Sequence, residues 1–165
     1  MANVSVNFDI LKDKHPSYRT IRSLLKVPSY VDETCCVQLS YALNRSGAVV
    51  ENYAYENPFY KRKVRAFKGN DNMFYIIEVS DMRYYLDNRY GNAENYNGSK
   101  QKMIENIKGR HGMLAFGYRH IDLWVGDNIH RPSEYLMDYL WTNDSLKKRG
   151  IFFWEVISEE EHLGD

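Results

Sequence analysis

Residues 112–131 read GMLAFGYRHIDLWVGDNIHR, and this stretch decides the fold. Gly112 to Gly117 and Tyr118 to Val125 are apolar and rich in β-formers, and Gly126-Asp127-Asn128 supplies the chemistry of a tight turn. Ile129 to Arg131 then reads as a short return strand. The segment predicts antiparallel hairpins rather than the strand–helix–strand rhythm of a doubly wound sheet. Alternation puts His120, Asp122 and Trp124 on one sheet face and Ile121, Leu123 and Val125 on the other, so a histidine at this strand's start can face a cleft.

Working outward, Ser133 to Leu140 predicts a short helix, Leu146 to Arg149 a turn, and Ile151 to Ile157 a last hydrophobic strand before the acidic tail Glu159 to Glu161. On the other side, Ser99 opens an amphipathic helix with Met103, Ile104 and Ile107 on one face and Gly109 past its end. Asn92 to Gly98 reads as a loop. Met73 to Val79 predicts a buried strand, and Ser80 or Asp81 caps a helix that runs to Tyr90 and stops at Gly91. Ala48 to Asn72 breaks into polar and aromatic residues and predicts a long loop containing the basic run Lys61, Arg62, Lys63, Arg65 and Lys68. Two helices come earlier, one over Pro16 to Lys26 and one from Thr34 and Cys35 to the terminating Gly47. Helices first, then a hairpin sheet, make an α+β fold with N-terminal helices packed on an antiparallel sheet, and no linker or repeat divides residues 1–165 into more than one domain.

Composition narrows the function. Twenty-two basic residues against 22 acidic ones leave no net charge, which argues against a nucleic-acid partner gripped by a basic body. No run approaches the ~20 apolar residues of a membrane span, and Met1 to Pro16 lacks the apolar core of a signal peptide, so the chain is expected to be made in the cytoplasm and not to associate with membrane. No Gly-rich phosphate loop follows a strand, and His111, His120 and His130 lack the close ligand pairs of a zinc site, so neither cofactor nor metal is expected. The two cysteines, Cys35 and Cys36, are adjacent and close no chain loop.

Cys35 is the leading chemical candidate. A thiol at a helix N-terminus meets unpaired amides and the positive end of the macrodipole, both of which favour thiolate, although a free cysteine is more often a small buried hydrophobe. His120 is the candidate base, and His130, Asp122 or Asp127 could hydrogen-bond its ring and fix the tautomer. A Cys, a His and a polar orienter in this order suggest a thiol hydrolase. The alternative is a non-catalytic polyanion-binding module, using the 14 tyrosines and the basic stretch from Tyr60 to Lys68, where aromatic and cationic side chains interleave.

Several blocks together resemble the type VI secretion amidase effectors of family 4. Cys35-Cys36-Val37-Gln38-Leu39-Ser40-Tyr41-Ala42-Leu43-Asn44 with Gly47 is similar to their catalytic helix. Phe74-Tyr75-Ile76, Asp81-Met82, Tyr85-Leu86, Lys108-Gly109, Gly112-Met113-Leu114, Arg119-His120-Ile121-Asp122-Leu123-Trp124-Val125-Gly126, and Gly150 to Val156 with Trp154 resemble successive blocks, in order. The resemblance implies a papain-like fold of the NlpC/P60 type and cysteine-dependent cleavage of peptidoglycan peptide stems, typically between D-glutamate and meso-diaminopimelate. It also implies export by the type VI apparatus, action in the periplasm of a target bacterium, and a dimeric cognate immunity protein that plugs the active site. In this resemblance the register of Ser40 places the nucleophile on Cys35, and the Arg119-His120 block carries the base, His120. Cys36 stands where the family has proline, and Arg131 where it has the orienting Asp; His130, one residue earlier, can take that role as histidine does in related NlpC/P60 hydrolases. The catalytic set implied is Cys35, His120 and His130. The extra cysteine pair of some family members is absent.

Overall fold

The computed structural model describes residues 3–51, 56–58, 60–97, 100–131 and 150–157. In chain order these form β1 (Asn3–Ser5), α1 (Phe8–Lys14), α2 (Ile21–Leu24), α3 (Cys35–Arg45), β2 (Glu56–Asn57), β3 (Arg62–Lys63), β4 (Ala66–Lys68), β5 (Phe74–Ile76), α4 (Val79–Tyr90), β6 (Glu94–Tyr96), α5 (Lys100–Ile107), β7 (His111–Phe116), β8 (His120–Val125) and β9 (Ile151–Ile157). The α+β class stands.

The main sheet runs β1-β9-β7-β8, with β6 also paired to β9. Its pairings are antiparallel except that β1 runs parallel to β9, Val4 opposite Val156, which corrects the purely antiparallel expectation. One residue in the centre of this sheet has to be glycine for reasons of space. A Cβ on Gly112 would lie 2.3 Å from the Trp154 carbonyl oxygen and 2.7 Å from the Phe153 ring. The period-2 pattern then sorts the apolar side chains. Met113, Ala115, Ile121, Leu123, Trp154 and Val156 pack with Leu39, Leu43, Met82 and Leu86 of α3 and α4, whereas Leu114, Phe116, Trp124 and Phe153 pack with Met103 and Ile107 of α5. The sheet is therefore covered by α3 and α4 on one face and by α5 on the other.

The hairpin that opened the sequence reading closes at Gly117 to Arg119, where Arg119 N–H donates to Phe116 C=O at 3.1 Å. Past β8 the Gly126-Asp127-Asn128 turn forms as expected, with Val125 N–H on Asn128 C=O at 2.8 Å, but the return segment pairs only at Ile129, opposite Trp124. Helix α3 ends in the manner its sequence predicts. Gly47 takes φ +87°, and Ala48 N–H reaches back to Leu43 C=O.

Other expectations are corrected. The predicted helix over Pro16 to Lys26 shrinks to the single turn of α2, while a helix not foreseen, α1, starts behind Asn7, whose side-chain oxygen accepts from Ile10 N–H at 3.1 Å. Helix α4 begins at Val79, with Glu78 rather than Ser80 or Asp81 at the position before it, and Glu78 makes no side-chain capping bond. The 92–98 loop contains β6, and the supposed long loop of 48–72 holds β2, β3 and β4, the last paired with β5. In that segment Arg62 binds Asp81 at 3.0 Å and Glu78 at 3.1 Å, and Arg65 binds Glu78 at 2.7 Å. These two cations answer acids of the chain itself, which removes them from the basic run as ligands for an outside polyanion. The predicted elements at 133–140 and 146–149 and the acidic tail lie outside the described residues.

Candidate active site

Cys35 is the first residue of α3, and Thr34 before it makes no side-chain capping bond; it donates its hydroxyl instead to Gln38 Oε1 at 3.0 Å. Because the first intrahelical bond is Gln38 N–H to Thr34 C=O, the amides just before it have no helical partner and their partial positive charge falls beside the thiol. Strand β8 begins at His120, and α3 packs along it, so the start of the helix meets the start of the strand. The His120 side chain is within hydrogen-bonding reach of the Cys35 thiol, and its Nε2 lies 2.9 Å from Oδ2 of Asp122. With Nε2 on the carboxylate, Nδ1 is the ring atom left for sulfur. Asp122 is held in turn, since its Oδ1 accepts from Leu123 N–H at 2.8 Å.

All three groups are almost out of water: Cys35 and His120 are each 5% exposed and Asp122 1%. Burial alone would lower the imidazole's pKa, but the Asp122 and Cys35 contacts outweigh it and raise the ring to about 10. Cys35 moves the opposite way. The hydrogen bond from Cys36 pulls it down most, burial opposes, and His120 and the Ile121 backbone add to the lowering, leaving it well below an ordinary thiol. Cys36 is pushed up, by burial first and then by Cys35, Asp81 and Glu78, so it stays a thiol and can donate. A lowered thiol and a raised imidazole favour the thiolate–imidazolium form, which is the form that attacks a carbonyl carbon and then protonates a leaving amine. Burial pushes the Asp122 carboxyl up, against the pull of His120.

The sequence pattern of the family described as type VI secretion system (T6SS) amidase effector protein 4, Tae4, matches residues 31–154, a span that includes Cys35, His120 and Asp122. The chain belongs to the Tae4 family. Its fold agrees. It matches the Tae4–Tai4 effector–immunity complex from Salmonella typhimurium at 20% identity with a TM-score of 0.69, covering 92% of this chain and 99% of that one. The Tae4–Tai4 complex from Enterobacter cloacae matches at 18% identity and a TM-score of 0.66, over 91% and 95% of the two chains. The crystal structure of the type VI effector Tae4 from Enterobacter cloacae matches at 17% identity and a TM-score of 0.64, over 95% and 100%. No curated protein sequence matches the chain. Membership makes this protein an amidase effector of the type VI system.

In this Tae4-family chain the sequence-predicted residues separate. Cys35, His120 and Asp122 come together, and Asp127 lies in the exposed turn beyond β8. His130 is placed elsewhere: its backbone N–H donates to Leu123 C=O, its ring packs edge-on against His15 with centroids 5.6 Å apart, and its buried Nε2 has no hydrogen-bond partner among the described residues. Burial, then Arg131 and Lys12, depress that ring to about 4, so it stays neutral. The His120 ring nitrogen Nε2 is met instead by the carboxylate already on the same strand face. Arg131 donates to Nδ1 of His15 at 3.0 Å, and sequence reading gave His15 no role at all. Its signal was a histidine before Pro16, which periodicity cannot distinguish from a surface residue.

Cys35 opens into a cavity of about 310 Å³. Tyr30 and Tyr60 stand at its sides with 60% and 43% of their surfaces exposed, and Glu33, Glu78 and Arg119 supply charge. Among the described residues no group of three or more His, Cys, Asp or Glu side chains could hold a metal ion, and no helix is long and apolar enough to cross a membrane.

Proposed function

We propose that this effector hydrolyses the peptide stems of bacterial peptidoglycan, at the amide between the γ-carbonyl of D-glutamate and meso-diaminopimelate, through a papain-like, NlpC/P60-type cysteine mechanism. The observation that carries the reading is the meeting of Cys35 at a helix start with His120 and Asp122 on one strand face. Cys35 is the nucleophile, His120 the general base and acid, and Asp122, rather than His130 or Asp127, the group that orients the ring. The Cys35 sulfur attacks the γ-carbonyl carbon, and amide N–H groups at the start of α3 stabilise the oxyanion. Imidazolium passes its proton to the departing amine of diaminopimelate, leaving a thioester on the glutamyl carbonyl. Water, giving its proton to His120, then attacks the thioester carbon and frees the sulfur.

Residues 1–165 act as one catalytic domain on this reading, supported by a core that links Val4, Leu39, Met113 and Val156. The enzyme leaves the producing cell through the type VI apparatus and acts in the periplasm of the target. A cognate immunity protein, dimeric as the family resemblance implies, covers the cavity and uses the exposed Tyr30 and Tyr60 as anchors. Mass spectrometry of purified muropeptides incubated with the protein tests the substrate. Paired products ending in D-glutamate and beginning with diaminopimelate are expected, and intact stems would refute the reading.

A further inference from the structure

Two side chains outside the catalytic trio converge on one dipeptide, His15-Pro16. The first is Gln38, buried on α3 one turn after the nucleophile. Its Oε1 accepts from Thr34, the residue before Cys35, which turns its Nε2 toward Pro16 C=O, a bond of 3.0 Å. The second is Arg131, just beyond the turn that follows β8. One guanidinium nitrogen donates to Nδ1 of His15 at 3.0 Å and the other to the His15 carbonyl oxygen. Arg131 makes this reach from a backbone φ of +59°, in the left-handed region that side chains other than glycine seldom adopt. Its own anchorage is firm, since His130 N–H is bonded to Leu123 C=O and Val125 N–H to Asn128 C=O, both on or beside the strand that carries His120 and Asp122.

We propose that Gln38 and Arg131 are positioning residues that clamp His15-Pro16 between the nucleophile helix and the histidine strand, and so set the separation of Cys35 from His120. Three features make the dipeptide a suitable spacer. It follows α1, whose Leu11 packs in the same cluster as Cys35, Leu39 and Ile121, so it cannot drift as a free loop would. His15 is 3% exposed. Because its Nδ1 accepts from Arg131, its ring proton sits on Nε2, and that buried atom has no hydrogen-bond partner among the described residues. An orphaned buried donor is costly, and the ring is held there by the two bonds that Arg131 makes to it and to its carbonyl. The clamp also gives a use to the arginine that stands where the family has its orienting Asp: with Asp122 on the ring, position 131 is released to hold the scaffold.

This inference rests on the catalytic reading of Cys35 and His120, and the readout is chosen to be independent of peptidoglycan. The rate of Cys35 alkylation by iodoacetamide is followed against pH, with the modified residue located by tandem mass spectrometry, in wild type, Gln38→Ala, Arg131→Ala and the double variant. Loosening either side should move the alkylation midpoint upward by about one pH unit, because sulfur loses its imidazolium partner, and should cut kcat on muropeptides about ten-fold with KM within about two-fold. The double variant should fall no further than the worse single one, since both bonds act through the same dipeptide. His15→Asn, which keeps an acceptor near the Nδ1 position, should stay close to wild type, and His15→Gln, which does not, should behave like Arg131→Ala. Variants that melt earlier yet keep the wild-type midpoint and kcat would reduce the clamp to a stability device and overturn the proposal. If an alanine variant fails to fold, a wild-type midpoint in folded His15→Gln overturns it equally. A normal alkylation profile in wild type without muropeptide cleavage would count against the substrate and leave the clamp standing.

Discussion

Asp122 stands two residues after His120 on the same strand, its carboxylate oxygen 2.9 Å from Nε2, so the two groups are carried by one rigid element. Adjacent positions on one face of β8 cannot move apart without breaking the sheet. Asp122→Ala should therefore lower kcat by about 10²- to 10⁴-fold with little change in KM, whereas His130→Ala should keep near-normal rates. Steady-state kinetics on a purified muropeptide reads both, and the reverse ranking would return the role to His130.

The pH profile should be broad. A low thiol and a raised imidazole place the thiolate–imidazolium form between an acid limb set by Cys35, well below an ordinary thiol, and an alkaline limb near 10 set by His120. Cys36→Ala removes the donor that lowers Cys35 most, so the acid limb should move up while activity at neutral pH largely survives. Cys36→Ser, which restores a donor, should recover the lower limb. Cys35→Ala should abolish hydrolysis outright.

Stability should depend on the same pair. The folded His120 value lies above that of the unfolded chain, so its contribution is complete below about 6.5 and is lost as the pH rises through about 10. Cys35 is shifted the other way, so its contribution is present above the pKa of a free thiol, about 8.5, and declines as the pH falls toward its folded value. Urea denaturation of wild type and His120→Gln from pH 7 to pH 10.5 checks the first effect, and the substituted protein should lose less stability over that range.

Gly112→Ala should destabilise the fold by about 1–3 kcal/mol or prevent it, because the new methyl meets the Trp154 carbonyl at 2.3 Å on a strand paired along both edges. A thermal melt within error of wild type would contradict the close approach.

Toxicity should depend on compartment. Expressed in a Gram-negative host, the chain fused to an export signal should lyse cells, the unfused chain should not, and Cys35→Ala should silence the exported form. Equal killing from the cytosol would point to an intracellular target.

Much of the hairpin and the helices flanking it was legible in the sequence because local chemistry decides them. Gly47 and Gly91 end helices where a positive φ is needed, and the period-2 pattern along 120–125 already placed Asp122 on the same face as His120. Sequence could not choose among Asp122, Asp127 and His130, since the choice turns on how far the return segment pairs, and it pairs at one residue only. The basic run misled for a related reason. Arg62 and Arg65 are solvated charges on paper, and only the approach of α4 supplies Glu78 and Asp81. β6 and β1 were missed because three-residue strands carry too few alternations to show a period, and their pairing with β9 is tertiary.

Strand β9, the last described strand in the chain, lies in the interior of the sheet, between β7 on one side and β1 with β6 on the other. As the ribosome delivers the chain, the N-terminal strand and β6 must wait for residues 151–157 before either has a partner. Pairings that span nearly the whole chain close slowly, because the entropy of a long loop is lost before its contacts form. A nascent chain stalled before Ile151 would thus expose unpaired strand edges, and the sheet that backs Cys35 and His120 would be finished only once residues 151–157 have been made. Truncations at β9 should accordingly yield aggregates in place of weakened enzymes.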